Sequence, residues 1–178
     1  MIINKDYNRK VQKEYFYIQG NLEIDCDYFI EQIEKGFNSK NNMNYKTNIK
    51  GSMTSFGYFQ KNLKFNNIVR ELSEYLDNSY LLKKYYLHDA WGFKTEPGEK
   101  TLFHDHLCYW SGVIYLNKCD QPLNFPEINQ HLNPEKGAFA IFSPWLLHGC
   151  ERNQDKVPKY GISFNMKELK NWEELHRP

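Results

Sequence analysis

From residue 85 onward the chain is punctuated. Short runs of aromatic and β-branched residues alternate with Gly, Pro, Asn and Asp. The runs fall at 85–94, 101–106, 110–116, 123–125, 138–142, 147–151 and 159–165. Between them lie turn formers: Glu96-Pro97-Gly98, then 117–122, 133–137 and 153–158. Apolar runs bounded in this way predict strands. Many short strands at regular spacing predict a sandwich or small barrel. Ahead of residue 84 the pattern is different. The segment 14–18 alternates like a strand. Tyr28, Ile30, Ile33 and Phe37 recur at helical spacing, with Asp25 or Asp27 as the cap. Ile68, Val69, Leu72 and Leu76 repeat that spacing and predict a second helix over 66–76. Both helices are expected to brace a sheet. The polar stretch 38–48 reads as a surface loop. The segment 50–55 reads either as a strand and turn or as the rim of a site. Alternating Lys and Glu predict a closing helix over 167–175 with a solvated charged face.

No internal repeat marks a second domain, so the 178 residues are expected to form one. Within 1–178, residues 1–83 give helix and strand support, 84–166 the β core, and 167–178 the closing helix. Aromatics at 16% supply large side chains for packing between sheets. A net charge of +1 gives no electrostatic footprint for nucleic acid or an anionic membrane. No run approaches the roughly 18 to 20 apolar residues of a membrane span. The N-terminal stretch lacks the apolar region of a secretory signal. Cys26, Cys108, Cys119 and Cys150 form no CxxC pair, so reduced thiols and a cytoplasmic location are expected. Cys108 and Cys150 are expected as pocket wall.

Chemistry enters with the histidines. His104 and His106 stand two apart in a predicted strand, which puts both imidazoles on one face and Asp105 on the other. His148 opens a later strand, after Phe142-Ser143-Pro144-Trp145. Two ligands from one strand and a third from a neighbour make a facial set with open positions opposite, which suits oxygen chemistry on iron. A carboxylate is the usual third ligand there, and His106 occupies its place. Asp105, by way of a bulge, and Glu127 are the alternatives to His106. His88, His131 and His176 are expected in structural or surface roles. Trp91, Trp110 and Trp145 are expected in the core or the pocket wall, where any could face substrate.

The segments His104-Asp105-His106, Trp110-Ser111-Gly112-Val113-Ile114-Tyr115-Leu116-Asn117, 137–148 and Lys159-Tyr160-Gly161-Ile162-Ser163-Phe164-Asn165 together resemble the 2-oxoglutarate and iron(II)-dependent oxygenases. They are most similar to the small phage and bacterial group and, at greater distance, to the prolyl hydroxylases. The resemblance spans 91–165. It implies a mainly β chain with flanking helices around a double-stranded β-helix core of the jelly-roll or cupin kind. It implies Fe(II) on His104, His106 and His148. It also implies 2-oxoglutarate as co-substrate with its C5 carboxylate on Lys159, Tyr115 and Ser163, O₂ as the oxidant, and ascorbate as an accessory reductant. Lys159 and Ser163, four apart on one strand, share a face. Two departures stand out. Lys, a point charge, replaces the more common bidentate Arg, and His106 replaces a carboxylate.

The expected activity is that of a dioxygenase, a hydroxylase of a peptidyl side chain or a small molecule. Two rival readings remain. One is a three-histidine iron dioxygenase that uses no 2-oxoglutarate. The other is a cupin-like binding protein without turnover. The substrate and the oligomeric state stay open, because fold does not choose them.

Overall fold

The computed structural model describes residues 15–79, 85–108 and 110–168. The elements run β1 (Tyr17–Asn21), α1 (Cys26–Phe37), β2 (Ile49–Lys50), β3 (Ser52–Met53), α2 (Leu63–Ser79), β4 (Tyr85–Thr95), β5 (Lys100–His104), β6 (Trp110–Tyr115), β7 (Leu123–Phe125), β8 (Gln130–Leu132), β9 (Ala138–Phe142), β10 (His148–Cys150) and β11 (Lys159–Glu168). Short 3-10 helices cover Phe59–Lys61 and Pro126–Ile128. Two antiparallel sheets result. The larger has the order β1-β9-β6-β11-β4-β3 and the smaller β2-β5-β10-β7-β8. This is the expected mainly β architecture, a double-stranded β-helix with helices on one side.

The continuous apolar runs of β6 and β9 follow from burial on both faces. Alternate residues enter two cores. Phe139 and Ile141 pack with Ile114, Ile162 and Phe164 against α1 and α2. Ala138, Ala140 and Phe142 pack with Val113, Tyr115 and Phe125 between the sheets. The helices therefore back the larger sheet and leave its other face to the smaller one. Gly92 makes this close approach possible, because a Cβ there would lie 2.4 Å from Ile33. Asp25, rather than Asp27, caps α1: its Oδ1 accepts the Tyr28 N–H at 3.1 Å.

Several boundaries differ from the expected ones. The segment 50–55 is strand and turn, placed by the pairing of β2 with β5 and of β3 with β4. Lys167 and Glu168 extend β11 against Tyr86 and Tyr85 instead of starting a helix. Cross-strand pairing overrides their helical propensity. The rest of that predicted helix, with His176, lies outside the described residues. β5 ends at His104, not at 106, and that difference bears on the site.

Candidate metal centre and carboxylate seat

The smaller sheet brings the first histidines together. β10 pairs antiparallel with β5, with His148 opposite His104 and Cys150 opposite Thr101. Two steps along β10 thus match three along β5, and the ladder bulges there. The extra residue restores the phase of the inward face, so that Thr101 and His104 both wall the same cavity. Gly149 sits inside this irregularity. A Cβ there would lie 2.9 Å from backbone atoms of Phe103. His106 lies beyond the strand, so the alternation argument does not place it. Its backbone N–H donates instead to the Pro144 carbonyl at 2.7 Å, anchoring the chain beside the loop that precedes His148.

One ligand atom from each of His104, His106 and His148 lies within 4.8 Å of the others. The tautomers follow from the neighbours. His104 Nδ1 is 2.7 Å from the Leu102 carbonyl, and His148 Nδ1 is 2.8 Å from the Leu146 carbonyl. A carbonyl only accepts, so Nδ1 carries the proton and Nε2 is left with its lone pair. His106 Nε2 lies 3.2 Å from His148 Nε2. Two ligands about 2.1 Å from one metal and at right angles lie about 3 Å apart, so this spacing fits a shared ion. Burial pushes all three imidazoles toward the neutral form. His106 is lowered to about 4, by desolvation and then by the charge of His104. His104 is lowered by desolvation, and His148 well below its ordinary value by desolvation and then by His104 and His106. Neutral imidazole is the form that binds a metal.

The carboxylates weighed against His106 lie apart from this cluster. Asp105 is exposed and outside the triad. Glu127 accepts from the Tyr15 hydroxyl at 2.8 Å and from the Leu147 N–H at 2.9 Å. Those bonds hold it to the loop before His148. The donor set is thus three neutral nitrogens with no carboxylate among the described residues.

The opposite end of the same cavity is formed by Lys159 and Tyr115 from the larger sheet, facing Thr101 and Cys150, while Ser163 lines the cavity farther along β11, opposite Trp91. Lys159 is completely buried. Its Nζ donates to the Gln121 carbonyl at 3.1 Å and to Cys150 Sγ at 3.2 Å, and it lies 5.2 Å from the Tyr115 ring centroid. An ammonium has three donors, and these contacts use two. No carboxylate among the described residues pairs with it. The Tyr115 pKa stands well above the ordinary phenol value, chiefly by desolvation and then through Cys150. The phenol is therefore a neutral donor. Ser163 is half-buried on the same strand face as Lys159, and Gly161 between them bears no side chain.

Gln121 and Thr101 carried no signal in the sequence. Gln121 is buried, and its Nε2 donates to the carbonyls of Glu99 and Glu151 at 3.0 and 2.6 Å. Its Oε1 accepts from Thr95 Oγ1 at 3.0 Å. The amide clamps three strand ends together and so fixes the carbonyl that receives Lys159. Only the bulge reveals Thr101. Cys150 walls the cavity as expected. Cys108 does not. It packs against Ser111 and Asn165, with Sγ 3.2 Å from Ser111 Oγ and 3.4 Å from Asn165 Oδ1. His131 is exposed and His88 half-buried, both away from the cavity.

The chain matches no protein-family model, and no curated protein matches it. Solved structures share its fold. A viral collagen prolyl hydroxylase from Paramecium Bursaria Chlorella virus-1, in complex with 2OG, superposes with a TM-score of 0.66 at 19% identity, covering 89% of this chain and 98% of that one. A Trichoplax adhaerens prolyl hydroxylase, complexed with a hypoxia inducible factor peptide fragment, gives 0.63 at 13% identity over 92% and 87%. The non-heme alpha ketoglutarate dependent carbocyclase SnoK, from nogalamycin biosynthesis, gives 0.66 at 12% identity over 85% and 78%. The double-stranded β-helix of this chain is therefore the fold of 2OG-Fe(II) oxygenases.

Proposed function

We propose that this chain belongs to the 2-oxoglutarate and iron(II)-dependent oxygenases and acts as a dioxygenase that hydroxylates a C–H bond. One observation carries the reading: a fully buried lysine with no carboxylate partner among the described residues shares one cavity with three neutral histidines. A buried ammonium lacking an anion costs several kcal/mol, and a dicarboxylate that enters the cavity offsets that cost.

The residues present fit the iron and the co-substrate. His104, His106 and His148 would hold the metal through Nε2 lone pairs, with Leu102 and Leu146 fixing two of the rings. Lys159 would give its remaining N–H to one carboxylate oxygen, and the Tyr115 and Thr101 hydroxyls would serve the rest, with Ser163 farther along the same strand face. When bound, iron(II) and 2-oxoglutarate supply oxidative decarboxylation by O₂, releasing succinate and CO₂ with oxidation of a second substrate. Val113, Phe142, Phe93 and Leu123 wall the space between the two ends and keep bulk water from it.

The test is anaerobic loading with iron(II), addition of 2-oxoglutarate and air, and measurement of succinate. Succinate that depends on both iron and Lys159 supports the reading. Absence of 2-oxoglutarate binding to the metal-loaded protein overturns it. The all-histidine ligand set favours one rival, an iron dioxygenase that binds its organic substrate directly. Under that rival, Lys159→Ala leaves O₂ consumption with the organic substrate intact.

A further inference from the structure

Outside the histidines a second, more open cleft is lined by Thr47, Asn48, Met53, Phe56 and Asp105. Five residues wall both this cleft and the inner cavity: Ile49, Trp91, His104, His106 and Asn165. They form the neck between the two spaces. Two of the five carry polar groups that the metal chemistry leaves unused.

Trp91 is 5% exposed, and its indole Nε1 is buried without a hydrogen-bond partner among the described residues. A buried unpaired donor is costly and calls for an acceptor. Asn165 is oriented by its neighbours. Its Oδ1 accepts from Ser111 Oγ at 2.9 Å and from Cys108 Sγ at 3.4 Å. That leaves its Nδ2 as the donor, with Asp89 taking one bond. With the histidine nitrogens given to a metal, the neck offers N–H groups, and the nearest unpaired acceptor among the described residues is Asp89 Oδ1, buried behind Asn165. The charge around it has the opposite sense. Asp105 lines the cleft, no Lys or Arg among the described residues does, and Asp89 lies behind Asn165. Phe56 is half-exposed and meets Trp91 edge to face at 5.2 Å, giving the cleft an apolar lip.

We infer that the outer cleft takes a neutral carbonyl compound with an apolar body, an amide in the best case, whose oxygen accepts the Trp91 indole N–H at the neck. A carboxylate would meet the donor equally well but would also meet Asp105 and Asp89. A neutral amide carbonyl is a strong acceptor without that repulsion. Trp91 is thus a specificity-determining residue, placing the group next to the carbonyl beside the histidines. The inference rests on the oxygenase reading for the reaction, and on the neck itself for the substrate class.

The test uses ¹⁵N-labelled full-length protein and two probes with the same body, N-acetyl-L-leucine N-methylamide and N-acetyl-L-leucine. The chain has four tryptophans. The Trp91 indole resonance is identified by its loss in Trp91→Phe, or by elimination through Trp110→Phe, Trp145→Phe and Trp172→Phe. The expected result is a saturable downfield shift of the Trp91 indole proton with the amide, and at least roughly tenfold weaker binding of the acid. An unmoved Trp91 resonance, or an acid that binds as tightly as the amide, overturns the inference. 2-Oxoglutarate is titrated separately into the zinc-loaded protein. Absence of shifts around Lys159 and Tyr115 removes the oxygenase reading and leaves the Trp91 result to be judged on its own.

Discussion

The two ends of the cavity solve opposite electrostatic problems. At the histidine end, desolvation keeps three imidazoles neutral so that a cation can be held. At the lysine end, an amine is fully buried with two of its contacts made to the Gln121 carbonyl and Cys150. The first end is made of strand termini and a loop, and two of its three rings are only half-buried. The second is made of strand interiors locked by Gln121, and Lys159 is fully buried. The contrast teaches that each end is complete in its frame and incomplete in its charge. Under the proposed function, a dicarboxylate and its metal would meet both demands together.

Separating the ends by mutation gives the sharpest contrast. His148→Ala is expected to weaken cobalt(II) binding, read from its visible absorption, on the order of 100-fold or more, since loss of even an indirect partner costs 10–100-fold. Lys159→Ala is expected to leave cobalt affinity within about threefold and to raise the 2-oxoglutarate Kd on the order of 30-fold or more, by calorimetry. This corresponds to about 2 kcal/mol for truncating one partner of a buried charge pair. If both substitutions weaken both ligands alike, the ends are not independent.

Gly149→Ala breaks the comparison in another way, because Gly149 lies in the bulge that serves both ends. The clash with Phe103 is expected to cost about 1–3 kcal/mol in chemical denaturation and to weaken cobalt and 2-oxoglutarate together. A pH series sharpens the histidine end. The His106 pKa falls from 6.5 in a free chain to about 4 in the fold. The unfolded state then binds more protons within that window, so the metal-free protein loses stability as pH falls from 6.5 toward 4 and is insensitive above it. Lys159→Met should leave that slope unchanged. The smallest effect belongs to Asp105→Asn. As an exposed neighbour and not a ligand, it should change cobalt affinity by less than about threefold, and less still in high salt.

Much of the frame was legible beforehand. β7 and β9 fall on their predicted runs because apolar blocks bounded by turn formers have few alternatives. Helix α1 was legible from its cap and spacing. β8 escaped, and β2 and β3 were foreseen only as one of two readings of 50–55, being two or three residues long and set by their partners. The histidines were legible as a group, but the reason given for His106 was not the physical one. It is held by a bond to Pro144 beyond the end of β5. Lys159 was legible from the resemblance, whereas the support beneath it was not. Gln121 sits in an ordinary turn sequence, and nothing local shows that its side chain is buried across three strand ends. Thr101 was hidden by arithmetic. Three residues before His104, it belongs on the far face of any regular strand.

That last point makes β5 a matter of phase. Deleting Leu102 would remove no histidine, no lysine and no hydroxyl, and would alter the composition by one exposed leucine. It would nonetheless undo the bulge, because Thr101 would then stand two residues before His104, the spacing at which a regular strand already puts both on one face. A chain compared with this one by matching residue types alone would score the deletion as nearly silent. The site is encoded in the count of residues between its parts as much as in their identities.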